Sequence, residues 1–400
     1  MRRTVVTGIG IVLGETRDKE TFAANCFAGK LALRPCSVMD TTGLSTEQFG
    51  EAEGVTGAID GENHRFLELV QEAGNSLLRD AKLTAEDISR LGRKCRLFFG
   101  SLIFCEAPYY HHALEKRAGR GDRDSAIARM NYFSQYARKL FGVQGSTTVI
   151  SSACASGTTA VGMAMSYIRA GVLEAAVAGG ADALSPLTAY GFNALKSMSA
   201  GVCNPFDESH DGINIGECGA FLLLESLEHA QARGAQILGE VVGASLGNDA
   251  YHITSPRPNG EGAYAAMAAA LADARLSPKD IGYINAHGTG TVANDTMELK
   301  AIGKLFGGAG REIALSSTKA LTGHCMGASG AMEIASTLMA LREQRYIPMP
   351  RLQQSLPAAE NLRMSASPGS IDAEYAIKNS FAFAGNSAAV VLKRWGGSAS

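Results

Sequence analysis

One pattern occurs twice along this chain and narrows what it can fold into. Val149-Ile-Ser-Ser-Ala-Cys-Ala-Ser-Gly leads into a helix of small residues, and Ala314-Leu-Ser-Ser-Thr-Lys-Ala-Leu-Thr-Gly leads through Gly327-Ala-Ser-Gly into another. In both, an apolar strand ends in Ser-Ser, a reactive side chain follows two residues later, and an Ala/Gly-rich helix begins. A strand-turn-helix unit repeated at similar depth in each half points to a duplicated α/β architecture. At 400 residues the chain is long for a single core, which agrees with two packed halves. The seam is expected near Gln231–Gly239, giving halves 1–235 and 236–400. No low-complexity linker marks it, so the halves should be fused rather than mobile.

The 46 glycines fall at the ends of short apolar runs, as in proteins that alternate strands and helices. Strands are expected at Arg3–Thr7, Arg96–Phe99, Thr147–Ser151, Ala175–Gly179, Ala220–Glu225, Glu240–Ser245, Ile281–Asn285, Ala314–Ser317, Ala376–Ser380 and Ala388–Arg394. Several are continuously apolar, as strands covered on both faces are. Helices are expected at Glu62–Ala81, Gly157–Ala170, Gly262–Ala274, Thr296–Phe306 and Gly330–Glu343. The second and last of these carry few charges, so each should be buried nearly all round, with layers on both sides.

Charge excludes several functions. With 37 basic and 39 acidic residues and no long block of one sign, the chain has no nucleic-acid arm and no polybasic membrane anchor. No apolar stretch reaches the length of a membrane span, and the opening Met-Arg-Arg-Thr-Val-Val-Thr-Gly-Ile-Gly reads as a buried strand rather than a signal peptide, so the cytoplasm is the expected compartment. Eight cysteines are scattered without C-x-x-C spacing. All but Cys154 read as free thiols used as small hydrophobes, and no metal or other cofactor is expected.

Four segments carry chemistry. Cys154 lies directly after a strand and before a helix, where the positive helix end and its unpaired N–H groups favour a thiolate; a buried structural cysteine at a tight turn is the plain alternative. His287, in Asn285-Ala-His-Gly-Thr-Gly-Thr, follows a strand at the mouth where α/β proteins bind ligands, although a histidine there can be a turn residue and no more. Lys319, His324 and Glu333 gather around one loop and the helix after it, on an Ala/Gly background that offers no surface to solvate them; if buried, they must pair with one another, and a Lys319–Glu333 ion pair that only braces the loop is the plain alternative. Last, Asn379-Ser-Phe381-Ala-Phe383-Ala-Gly-Asn-Ser joins two terminal strands. One of its rings could face a cavity while a neighbouring N–H points at a bound oxygen, or it could be a hairpin with core phenylalanines.

Together these segments resemble the β-ketoacyl-[acyl-carrier-protein] synthases of the elongating type, in the thiolase-like superfamily. Gly179-Gly-Ala-Asp, Asn204-Pro-Phe-Asp-Glu-Ser-His-Asp-Gly and Asn248-Asp-Ala-Tyr-His-Ile-Thr-Ser-Pro extend the resemblance over the chain. It implies a five-layered αβαβα fold of two similar halves, acting as a homodimer or as a heterodimer with a ketosynthase-like homologue. It implies a decarboxylative Claisen condensation in fatty acid or polyketide and polyene biosynthesis, with acyl carrier protein as partner. Cys154 would hold the acyl chain, and His287 and His324 would donate to the malonyl thioester oxygen. Lys319 and Glu333 would form the supporting pair, the N–H groups of Cys154 and Phe383 the oxyanion hole. Phe381 would gate access, and Phe192 would line the acyl pocket. The carrier protein is acidic as a class, and Arg65 and Lys196 are candidate docking cations.

The chain departs from the family pattern with Ala at 382 and 384 and Cys218 where glycines are usual, and with a shortened loop after Gly10; these point to a specialised polyketide or polyene pathway. Two rivals are weighed. A thiolase needs a second reactive cysteine where this chain has Phe383-Ala-Gly. A non-catalytic chain-length partner subunit lacks the nucleophile, which this chain keeps.

Overall fold

The computed structural model describes residues 1–59, 64–102, 116–119, 124–307, 313–359 and 362–396. The strands of its main sheet are β1 (Thr4–Val12), β2 (Cys95–Gly100), β3 (Thr147–Ile150), β4 (Ala175–Asp182), β5 (Cys218–Ser226), β6 (Gly239–Asn248), β7 (Ile281–Asn285), β8 (Ile313–Ser316), β9 (Leu362–Arg363), β10 (Tyr375–Phe381) and β11 (Asn386–Lys393). They run in the order β9-β8-β7-β10-β11-β6-β1-β5-β4-β2-β3. The two halves meet where β1 lies antiparallel to β6, Thr4 opposite Val241.

The duplication is visible in the pairing. Counted within its own half, each set of five strands is ordered 3-2-4-5-1, with the short β9 added at the outer edge of the second. Parallel and antiparallel neighbours repeat as well: β2 is parallel to β3 and β4, and β7 to β8 and β10, while β4–β5 and β10–β11 are antiparallel. A duplicated α/β fold is what the internal echo implies and a thiolase-like one what the family resemblance implies, and all ten expected strands are present.

Helices complete the layers. α1 (His64–Ala81) and α2 (Asp124–Leu140) cover the outer face of the first half's strands. α3 (Ser156–Arg169) and α8 (Ser329–Glu343) lie between the two sets. α5 (Glu261–Ala274) and α6 (Val292–Phe306) cover the far face. Two shorter helices, α4 (Pro186–Ala194) and α7 (Lys319–Thr322), serve the site. α8 is buried from Ser329 to Leu341, a stretch whose one charged residue is Glu333. The middle helices approach backbone to backbone at Gly157 and Gly330: a Cβ on Gly330 would stand 2.2 Å from Thr158 Oγ1 and 2.4 Å from Thr158 N. No other residue fits there without moving a helix.

Candidate active site

Cys154 occupies a single turn, Ala153–Ala155, between β3 and α3. Ser156 Oγ fastens that turn, accepting from Ser152 N at 2.9 Å and donating to Ala153 O at 2.6 Å. Ala153 is held at φ +50°, in the left-handed region that disfavours a side chain. Cys154 is 5% exposed. Burial pushes its thiol up to about 12, further than the Lys319 charge pulls it back. The thiolate expected from the helix end is therefore outweighed by the loss of solvent, and the resting sulfur is a thiol.

His287 follows β7. Its backbone N–H donates to Glu298 Oε1 and that of Gly288 to Oε2, both at 2.8 Å, so a buried carboxylate on α6 shapes the loop. Thr291, the last residue of the motif, caps α6 by accepting from Asn294 N. Lys319 Nζ donates to His287 O at 2.7 Å and lies 3.2 Å from Nδ1. An ammonium has no lone pair to offer, so Nδ1 is the acceptor and the neutral ring carries its proton on Nε2.

His324 reaches the same tautomer by a different route: the N–H of Met326 donates to its Nδ1 at 3.2 Å, and Ser329 Oγ lies 3.0 Å away. The two rings stand edge to face with centroids 5.5 Å apart. Burial, then the Lys319 charge, holds both imidazoles well below their ordinary range, so both are neutral donors near neutral pH.

Behind them, Lys319 and Glu333 make the buried pair the sequence suggests, Nζ to Oε1 at 2.5 Å. A second lysine also reaches this carboxylate: Lys378 Nζ, on β10, is 2.6 Å from Glu333 Oε2. Sequence reasoning misses Lys378 and Glu298. The signal was present for Lys378, since a charge inside a strand covered on both faces must have a partner.

A cavity of about 220 Å³ joins these parts. Cys154, His287, His324, Phe381, Phe383 and Phe192 all line it. Phe381, at the end of β10, stands 6.1 Å centroid to centroid from His287. Phe383 stacks on Phe192 of α4 at 5.4 Å. The loop that carries Phe383 is pinned on either side, Ala382 N donating to Asn386 O at 2.8 Å and Ala384 N to Ile253 O at 2.7 Å. Ala384 takes φ +60°, the conformation the family's usual glycine would adopt freely.

One expectation fails. Arg65 is 1% exposed. Its guanidinium grips Glu217, with Nε 2.8 Å from Oε2, and donates to Val55 O at 2.7 Å, so it braces the core and meets no partner. Lys196 is exposed, between the cavity-lining Leu195 and Ser197. Six of the seven cysteines expected to be inert, Cys26, Cys36, Cys95, Cys203, Cys218 and Cys325, are free thiols; Cys105 lies outside the described residues. No cluster of metal-ligating side chains occurs among the described residues, nor any helix long and apolar enough to cross a membrane.

Comparison with known proteins identifies the class. The chain belongs to the β-ketoacyl synthase family: the family's N-terminal domain matches residues 1–230 and its C-terminal domain residues 238–353. It is 32% identical over 410 residues to the 3-oxoacyl-[acyl-carrier-protein] synthase 2 of Staphylococcus aureus (strain N315), covering 98% of this chain and 99% of that one. A ketosynthase solved with its type II polyketide synthase acyl-carrier protein and bound to the hexaketide superposes with a TM-score of 0.90 at 28% identity, covering 98% of this chain and 99% of that one. The ishigamide ketosynthase/chain length factor superposes at 0.87 with 30% identity, covering 99% and 100%. The protein is a condensing enzyme, an acyltransferase that forms carbon–carbon bonds by Claisen condensation.

Proposed function

We propose that Cys154 carries the acyl group and that His287 and His324 activate a malonyl extender, both delivered by acyl carrier protein. The thiol attacks the acyl thioester, the carrier's sulfur leaves, and the thiol proton passes to it, giving an acyl-enzyme. The malonyl thioester then loses carbon dioxide, and the electron pair of the broken bond moves into an enolate whose oxygen accepts from the two Nε2–H groups. The enolate carbon attacks the acyl carbonyl, whose oxygen is held by the N–H groups of Cys154 and Phe383. Collapse expels the Cys154 sulfur, which takes up a proton, and releases the β-ketoacyl carrier protein.

The observation that carries this reading is the pair of neutral imidazoles with fixed Nε2–H tautomers, lining one cavity with Cys154, the only cysteine among the described residues that lines it. Lys319 sets one tautomer and is anchored by Glu333. Phe381 gates the sulfur and the Phe192–Phe383 stack bounds the acyl space. The halves divide at Ala235/Gln236. Lys196 at the cavity rim is the docking cation. Partnering in a homodimer or a ketosynthase heterodimer is supported by β3, an edge strand whose Val149 is 41% exposed. The likeness to polyketide ketosynthases favours a polyketide or polyene pathway over bulk fatty acid elongation.

The test is Cys154→Ala. Condensation and labelling by iodoacetamide at this site are expected to vanish, read by product mass spectrometry and peptide mapping. Condensation that survives, with a label on another cysteine, rules the assignment out.

A further inference from the structure

We propose that Lys378 is a positioning residue of the condensation, its ammonium tying the nucleophile's helix to the Glu333–Lys319–His287 relay and adding positive charge behind the imidazoles. This rests on the reading of Cys154, His287 and His324 given above.

The geometry is a continuous chain across the two halves. Thr158 Oγ1, in the first turn of α3, is 2.8 Å from Ser380 Oγ. Lys378 Nζ donates to Ser380 Oγ at 2.9 Å and is 2.6 Å from Glu333 Oε2. Glu333 Oε1 holds Lys319, and Lys319 holds His287. Every member is buried. Glu333 Oε2 accepts no directed hydrogen bond, so its partner is the Lys378 charge alone. Removing that charge strands a buried carboxylate oxygen and takes one donor from Ser380, at a point where the two halves exchange buried polar contacts.

A second ammonium on one carboxylate is not needed to neutralise it. Lys319 already does so, and a buried lysine is costly unless its charge is used. The use is electrostatic: carbon dioxide loss builds negative charge on the enolate oxygen, which a cation behind the donor rings stabilises in a site sheltered from water. The groups that act on Lys378 are Glu333 on α8, Lys319 on α7 and Glu298 on α6, with His287 and His324 feeling its charge in turn. Its sheet neighbours Val390 and Asn285 are uncharged. Burial, with Lys319, pulls Lys378 down to about 8 against the support of Glu333 and Glu298. Below that pH the cation is present; as pH rises through it the cation is lost, and the decarboxylation rate falls with it.

The experiment follows carbon dioxide release from malonyl-pantetheine by the acylated enzyme between pH 6.5 and 9.5. Wild type is expected to show a falling limb centred near pH 8, in kcat with KM unmoved. In Lys378→Met the low-pH plateau is expected to drop by about tenfold and the limb to vanish. In the isosteric Glu333→Gln, which keeps the lysine but removes its main support, the limb is expected to move to lower pH by about one unit. Absence of the limb in wild type, its persistence in Lys378→Met, or an unmoved limb in Glu333→Gln each overturns the proposal; the first and third stand even if Lys378→Met does not fold. No carbon dioxide release at any pH is a different failure, that of the decarboxylating site itself.

Discussion

The two halves each contain the same tight turn between a strand and a middle helix, and they use it differently. In the first half it is Ala153-Cys154-Ala155 before α3; in the second it is Met326-Gly327-Ala328 before α8. Ala153 and Met326, the first residues of the turns, take φ of +50° and +47°. The first turn presents a sulfur to the cavity. In the second, glycine stands where the cysteine stands, its N–H donates to Asp182 Oδ2 at 2.6 Å, and a Cβ there would come 2.7 Å from Leu102 N. The duplicated device is thus structural, and chemistry was fitted to one copy while the other copy's space was filled by the opposite half. The strand that precedes the second turn is followed first by α7 and His324, so the second half spends its extra residues on the lysine and imidazole that serve the first half's sulfur.

If the shared contact of the two middle helices is what fixes both turns, breaking it should have the largest effect. In Gly330→Ala the new methyl meets Thr158 backbone and side chain at 2.2–2.4 Å, where only a shift of α3 against α8 can make room. The expected loss is about 3 kcal/mol of stability, at the upper end for overpacking, measured by denaturant unfolding, together with slower Cys154 alkylation because α3 carries that turn. A variant as stable as wild type would mean that the helices are not locked at this crossing.

How far this comparison could be read from sequence depends on which physical signal each part leaves. The strands were legible because continuous apolar runs ending in glycine have few other homes. The strand-level echo was legible too, but it aligns Lys319 with Cys154, whereas the turn equivalent to Cys154 lies at Gly327, after the short α7. An inserted helical turn changes spatial equivalence without changing the local motif. Helices at Lys19–Ala28 and Pro186–Ala194 were missed although their caps were written in the chain: Asp18 accepts from Thr21 N at 2.7 Å, and Pro186 opens the second. Their residues, KETFAANCFA and PLTAYGFNA, lack the strong apolar stripe that marks a helix in a linear reading. Arg65 could have been placed correctly, since it recurs at helical spacing with the buried Leu69 and Ala73 and so faces inward. What the chain could not disclose is distance: which carboxylate pairs with which lysine is settled by the third dimension.

The turns themselves give two smaller tests with opposite signs. Met326→Gly frees the backbone from its left-handed strain but removes a side chain that is 1% exposed and packs with Phe49, Leu184 and Ile215. Losing a buried methionine costs more than the strain returns, so a net destabilisation of about 2 kcal/mol is expected from thermal unfolding. Stability equal to wild type would show that this side chain is not holding the turn.

Ala153→Gly is the smallest and most informative change, because only a methyl is removed and no core contact goes with it. Relief of the strain at φ +50° is expected to raise stability by about 0.5 to 1 kcal/mol despite the greater freedom glycine gives the unfolded chain. The same freedom loosens the residue that aims Cys154, so alkylation by iodoacetamide should slow by about threefold, a modest cost of losing preorganisation. A gain in stability with unchanged alkylation would mean that the turn's strain is incidental to the sulfur's aim. A loss of stability would mean that Ala153 is not strained at all, and the likeness of the two turns would then be geometric without being energetic.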